Sequence, residues 1–233
     1  MEKDKILSIL GAVAVVIVAM IFIIPQLLGG SVDIGSQNSG LPTNNVDSGL
    51  PTNNVDYNML SNDAELKKVY GVIQEKLGDN IKYVDEVRID ISRPSVEGTI
   101  TKQGAPDEFS MSLTHLYQQD KKKVYYMRYS NKNGWYINEP RGVNLIGPGD
   151  KESFRLEDVV FDISPLTAET LSKIVDDAMK KYKDDGKYSY QYVRGITIKD
   201  GIVKVTIGGK LSANDIEKSE YYYANLKGVE GRK

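Results

Sequence analysis

No cysteine occurs in this chain of 233 residues, and histidine occurs once, as His115. Disulfides, thiol nucleophiles, cysteine-linked lipids and zinc sites built from Cys and His are therefore excluded. Positive charge is not in excess either: 30 basic and 32 acidic side chains give a formal net charge of -2. A chain without a strong positive field offers little to a phosphate backbone, so no nucleic-acid partner is expected. What the chain does have is 40% hydrophobic and 27% charged residues, enough for one large domain or two small ones.

Long apolar runs are also absent, with one exception. Residues 6–28 read ILSILGAVAVVIVAMIFIIPQLL without a charge, and at about 1.5 Å per residue such a helix reaches roughly 34 Å, enough to cross a hydrocarbon core of about 30 Å. Only Ser8 and Gln26 interrupt it, so it lacks the polar face of a core helix. It exceeds the apolar centre of a cleavable signal peptide, and Leu28-Gly29-Gly30 lacks the expected small-residue pattern. The sequence therefore predicts a bilayer-spanning anchor. Lys3 and Lys5 precede it and no Lys or Arg follows until Lys67, which keeps a stub of residues 1–5 in the cytoplasm and sends the rest across the membrane.

Residues 29–60 are polar and poor in aromatics, the composition of a tether. Within them SGLPTNNVD occurs twice in succession, Ser39 to Asp47 and Ser48 to Asp56, identical throughout. Spacing is the simplest reading of the duplication, with a tandem docking motif or protease site as the alternative. A coil of this length has a root-mean-square reach of about 30 Å, and roughly 100 Å when pulled straight.

Beyond the tether the pattern is α+β. Leu66, Val69, Tyr70, Ile73 and Leu77 form one helical stripe, entered through Ser61, Asn62 or Asp63 and left at Gly78. Leu171, Ile174, Val175, Ala178, Met179 and Tyr182 form another, after Ser164-Pro165, which suits a cap followed by a first helical position. Alternating segments follow each helix. The first set is Ile81 to Ile91, Val96 to Lys102, Phe109 to Gln118, Val124 to Ser130 and Trp135 to Leu145, with a hairpin expected at Asn131 to Gly134. The second is Tyr188 to Lys199, Ile202 to Ile207 and Tyr221 to Leu226, with Asp200-Gly201 as the other hairpin pair.

Leu66 and Leu171, and Leu77 and Tyr182, stand 105 residues apart, and Val87-Arg88 and Val193-Arg194 stand 106 apart. These offsets suggest a diverged repeat: residues 61–160 as a first helix-plus-antiparallel-sheet unit and 161–233 as a second. In outline only, the layout resembles that of secreted inhibitor and PepSY-like modules, and no motif carries residues across from them.

No catalytic constellation emerges. His115 shares a strand face with Phe109, Met111 and Leu113, and no nucleophile turn accompanies it. Asp107-Glu108, Asp176-Asp177, Asp184-Asp185, Asp215 and Glu217 could supply a carboxylate pair for glycoside hydrolysis, yet each falls at an expected turn or polar helix face. Asp184-Asp185-Gly186 lacks the spacing of a calcium loop, and Gly147 to Asp150 lacks the lysine and helix of a phosphate loop. Neither a metal nor a cofactor is expected. The one surplus is tyrosine, 15 against four phenylalanines. Adjacent rings in Tyr125-Tyr126 and Tyr221-Tyr222-Tyr223 cannot share one strand face. Together with Tyr129, Trp135 and Tyr136 they are the expected recognition surface, for an envelope protein or a wall polymer.

The sequence thus leads to a single-pass membrane protein whose extracytoplasmic α+β region binds or scaffolds within the cell envelope. The rival readings are a wall-directed enzyme using paired carboxylates and a subunit of a secretion or conjugation assembly.

Overall fold

The computed structural model describes residues 50–51, 55–92, 108–143 and 152–231. The expected stub and anchor, most of the tether and the strand expected at Val96 to Lys102 lie outside these residues. Among the described residues no helix is long and apolar enough to cross a membrane.

The chain divides into two compact units, Asn45–Arg141 with Leu156–Lys233, and Met1–Asn44 with Gly142–Arg155. Little of the second unit is described. Within it Arg155 donates from Nη1 to the carbonyls of Glu152 and Phe154, at 2.7 and 2.9 Å.

The larger unit is an α+β fold of two helices and an antiparallel sheet. Helix α1 spans Asp63–Leu77 and α2 spans Ala168–Tyr182. Asn62 caps α1 by accepting from the Glu65 amide, and Gly78, at φ +50°, ends it where a side chain would be strained. The cap of α2 is Thr167, which accepts from the Thr170 amide. The entry expected at Ser164-Pro165 is displaced because Leu166 between them is buried and its carbonyl is tied to α1. Ser164 instead donates its amide to the Asp162 carboxylate in a local turn.

The strands are β1 (Val84–Ser92), β2 (Glu108–Leu116), β3 (Lys123–Ser130), β4 (Gly134–Ile137), β5 (Arg141–Gly142), β6 (Tyr188–Lys199), β7 (Ile202–Leu211) and β8 (Glu217–Asn225). They form one sheet in the order β4-β3-β2-β1-β6-β7-β8, with β5 pairing β3. The strands that follow α1 and those that follow α2 therefore join through β1 and β6, where Ile89 stands opposite Ile196 and Val87 opposite Ile198. Hairpin chemistry sets the local register. Asp200 and Gly201 have φ of 51° and 72°, the pair of positive values that a two-residue hairpin needs, and Gly134 has φ of 69°.

Alternation along the strands sends one set of side chains into the core and the other to the opposite face. Val87, Ile89 and Ile91 on β1, Phe109, Met111 and Leu113 on β2, Ile196 and Ile198 on β6 and Val203, Val205 and Ile207 on β7 are buried. They join the helix stripes Leu66, Val69, Tyr70, Ile73, Leu77 and Leu171, Ile174, Val175, Ala178 in one core. The Tyr70 hydroxyl, fully buried, donates to the Leu166 carbonyl at 2.6 Å and so links α1 to the lead-in of α2.

The segment expected to be tether up to residue 60 ends differently. Leu50, Val55, Met59 and Leu60 are buried in the same core, and Met59–Ser61 form a 3-10 turn. The Tyr129 hydroxyl donates to the Pro51 carbonyl at 2.9 Å, and the Tyr57 ring meets Tyr192 edge-on at 5.4 Å. Average polarity hid these contacts, because a few apolar side chains, each removing its area from water at about 25 cal/mol per Å², are enough to hold a polar stretch down.

Candidate functional site: the open face of the sheet

The core takes one face of the sheet, and among the described residues neither helix lies on the other. Register places its side chains in rows across the strands. The central row runs Tyr136, Arg128, Ser112, Arg88, Thr197, Lys204, Tyr223. One neighbouring row runs Ser130, Ser110, Asp90, Gly195, Thr206, Tyr221, and the other runs Tyr126, Thr114, Glu86, Lys199, Ile202, Asn225. At about 4.8 Å per strand, seven strands make a platform roughly 29 Å wide.

The chemistry of this surface is small hydroxyls and cations in the middle with tyrosines at both ends. Arg88 donates from Nε to the Asp90 carboxylate at 2.6 Å, which holds its guanidinium above its usual pKa. Arg128 stands 3.7 Å from Glu108, which also pairs with Lys132 at 3.0 Å. Arg194 lies beside Gly208, where a β-carbon would come within 3.2 Å of the arginine Cβ. Gly195 lets Asp90 lean over its strand, since a β-carbon there would sit 2.9 Å from the Asp90 carboxylate. Arg88, Arg128, Arg194, Lys199, Lys204 and Lys210 thus face the same way as Glu86, Asp90, Glu108 and Glu217, a face of mixed and largely paired charge.

The aromatic residues singled out from the sequence do not form one surface. Tyr126, Tyr136, Tyr221 and Tyr223 belong to the open face, with Tyr136 63% and Tyr221 48% exposed. Tyr129 and Tyr222 are buried in the core. Trp135 packs against that core, 5.5 Å from the Tyr129 ring and under the Lys76 ammonium at 5.1 Å. Tyr125 stacks on Tyr117 and lies 5.4 Å from the His115 ring. The two exposed ends are separated by the full width of the sheet. The cations and hydroxyls between them are what the sequence reading missed, and strand alternation around Arg88, Ser110, Ser112 and Arg128 was the signal that could have found them.

The candidates for catalysis are scattered. His115 is buried, its Nδ1 donates to the Leu116 carbonyl at 2.8 Å, and burial lowers its pKa. Asp177 pairs with Lys173 at 2.5 Å and Asp215 with Lys210 at 3.1 Å. Asp184 accepts the amides of Gly186 and Lys187 within a turn, Asp185 stands 3.6 Å from Lys183, and Glu217 accepts from the Tyr190 hydroxyl at 3.5 Å. Asp107 lies outside the described residues. Burial raises the pKa of Asp85, which Lys199 opposes and Glu86 and Asp200 reinforce. Among the described residues no three acidic or histidine side chains gather as a metal site. A groove of about 520 Å³ beside α2 is lined by Lys173, Asp177, Lys180, Lys181, Tyr222, Gly228 and Glu230. Two of its lysines are already paired, Lys173 with Asp177 and Lys181 with Glu230.

Comparison with protein-family models, with curated proteins and with solved structures finds no match to this chain. The geometry alone defines the class: an antiparallel sheet covered by helices on one face, whose other face among the described residues carries hydroxyls, tyrosines and charges of both signs.

Proposed function

We propose that this is a single-pass, membrane-anchored extracytoplasmic binding protein of the cell envelope, and that it captures its partner on the open face of the sheet. The observation that carries the reading is the central row, in which Arg128, Ser112, Arg88, Thr197 and Lys204 lie between Tyr136 and Tyr223. Hydroxyls and guanidinium groups at strand spacing suit an extended partner with repeating acidic and hydroxyl groups, and tyrosines at the ends suit the apolar faces of sugar rings. A wall polymer of that chemistry fits better than a compact metabolite, because among the described residues the surface is broad, with rows that run across seven strands. The anchor at residues 6–28 and the tether give such a protein a reason to be held near its polymer. The shared order of one helix followed by strands on either side of the β1–β6 junction supports reading the two halves as diverged copies.

The test uses the full chain in detergent micelles and purified anionic wall polymer. Combined Arg128→Gln, Lys204→Gln and Tyr136→Ala substitutions should weaken binding about five- to thirtyfold, at about 1 to 2 kcal/mol for the lost contacts together, while the unfolding midpoint stays put. Added salt should weaken wild-type binding. Binding that ignores both the substitutions and salt would defeat the proposal.

A further inference from the structure

The duplicated cassette acquires a structural meaning once its second copy is located. Leu50 and Val55 are 7% and 8% exposed, and the Pro51 carbonyl accepts from the Tyr129 hydroxyl at 2.9 Å. The anchoring groups are thus a leucine, a proline carbonyl and a valine on one side of the fold. Leu41, Pro42 and Val46 repeat those residues at the same spacing within a nine-residue identity, and they lie outside the described residues. No group that makes these contacts differs between the two copies.

What distinguishes the copies is the chain that follows. After Asp56 comes Tyr57, whose ring meets Tyr192, and then the buried Met59 and Leu60. After Asp47 comes Ser48, and residues 48–56 would have to close as a loop if the first copy took the place of the second while Tyr57 stayed fixed. By the three-halves power of loop length, closing nine residues disfavours that arrangement by about thirtyfold. Contact chemistry is equal, so loop closure alone makes one register major and the other minor.

We propose that the first cassette, Ser39 to Asp47, is a second ligand for the site that holds Leu50, Pro51 and Val55, and takes it in the same chain as a minor register. The exchange draws nine residues of tether past the fold, a change of about 30 Å in full extension. The protein then has two tether lengths, and tension toward the membrane favours the longer one. The exchange itself is independent of the open face and its ligand, while its effect on reach rests on the proposed anchor at residues 6–28.

The sole tryptophan reports on the site, because the Trp135 ring lies 5.5 Å from the Tyr129 ring. In the full chain in micelles, L41S/V46S should leave the unfolding midpoint and Trp135 emission unchanged. L50S/V55S should weaken folding, and adding L41S/V46S to it should lower the folding equilibrium constant at least about tenfold more, since a vacated site can then no longer be refilled. Equal stability of the double and quadruple variants would overturn the proposal. So would a coupling that grows with protein concentration, because the occupant would then come from a neighbouring molecule.

A second measurement avoids destabilised variants. The chain has no cysteine of its own, so a nitroxide on T43C is unique. It should broaden the fluorine signal of a fluorotryptophan at position 135, and L41S/V46S should abolish most of that broadening. Broadening that is absent, or indifferent to L41S/V46S, would overturn the exchange.

Discussion

Replacing Tyr70 by phenylalanine isolates one bond that links distant parts of the chain. The ring stays in the core, while the Leu166 carbonyl loses the hydroxyl that reaches it at 2.6 Å across 96 residues of sequence. Tyr70 has no exposed surface, so water does not replace the donor without rearrangement. An unsatisfied buried acceptor costs about 1–3 kcal/mol, and a neutral hydrogen bond contributes about 0.5–1.5 kcal/mol net. The expected loss at neutral pH is therefore about 1–2 kcal/mol, or several degrees in melting temperature. Alkaline pH supplies a second readout. Burial raises the Tyr70 pKa from 10.0 to about 12. A group whose folded pKa lies above its unfolded value adds stability below the unfolded pKa and loses it as pH rises through the folded one. Between pH 10 and about 12 the wild type gives up this contribution and the phenylalanine variant has none to give up. The stability gap between them should narrow over that window, as measured by urea denaturation followed through Trp135 fluorescence. A variant as stable as wild type at pH 7, or a gap constant from pH 9 to 12, would refute the reasoning.

Two further outcomes follow from particular positions. At Gly209 a β-carbon would stand 2.8 Å from the Tyr188 ring and 2.9 Å from the Tyr190 carbonyl, so Gly209→Ala should destabilise by about 1–3 kcal/mol; the helical Gly71, with nothing within 4 Å, should gain about 0.5–1 kcal/mol on Gly71→Ala, and equal effects at the two sites in thermal melts would contradict the packing. The buried His115 titrates below its usual value in the fold, so the unfolded chain takes up its proton first as pH falls and stability drops through the range just under 6.5. His115→Phe removes that dependence, and urea midpoints should show the wild type losing more stability than the variant between pH 8 and pH 5.

The parts of the fold written as periodicity were legible. Leu66, Val69, Tyr70, Ile73 and Leu77 all point into the core because a helix that must hide a stripe has few residues from which to make it. The alternation of Val203, Val205 and Ile207 fixed β7 for the same reason. Where propensity and tertiary contact disagree, sequence failed. Glu217, Lys218 and Glu220 begin β8 although they read as loop, since an edge strand tolerates charge that a central one does not. Ser164-Pro165 is a better local helix start than Thr167, yet burial of Leu166 decides the entry. The open face was hard to see because its defining feature is a cross-strand row, and residues such as Arg88, Ser112 and Thr197 become neighbours only through register.

The sheet edges bear on which surface is left for recognition. An exposed edge offers unpaired amides and carbonyls that invite another strand. One edge strand, β4, is only four residues long. On the other, β8, the Asn225 amide donates to the Val229 carbonyl, the Tyr223 carbonyl accepts from Gly231, and Ala224 bridges Glu230. The chain thus folds back over the later half of that edge, and Lys181 holds the return through Glu230. The earlier half carries Glu217, Lys218 and Glu220, whose charges disfavour pairing with an apolar strand. Strand addition is therefore discouraged at both ends of the sheet. In the proposed reading a partner meets the broad face between Tyr136 and Tyr223 through side chains rather than backbone pairing, which is why the substitutions proposed for the binding test alter side chains and leave every strand intact.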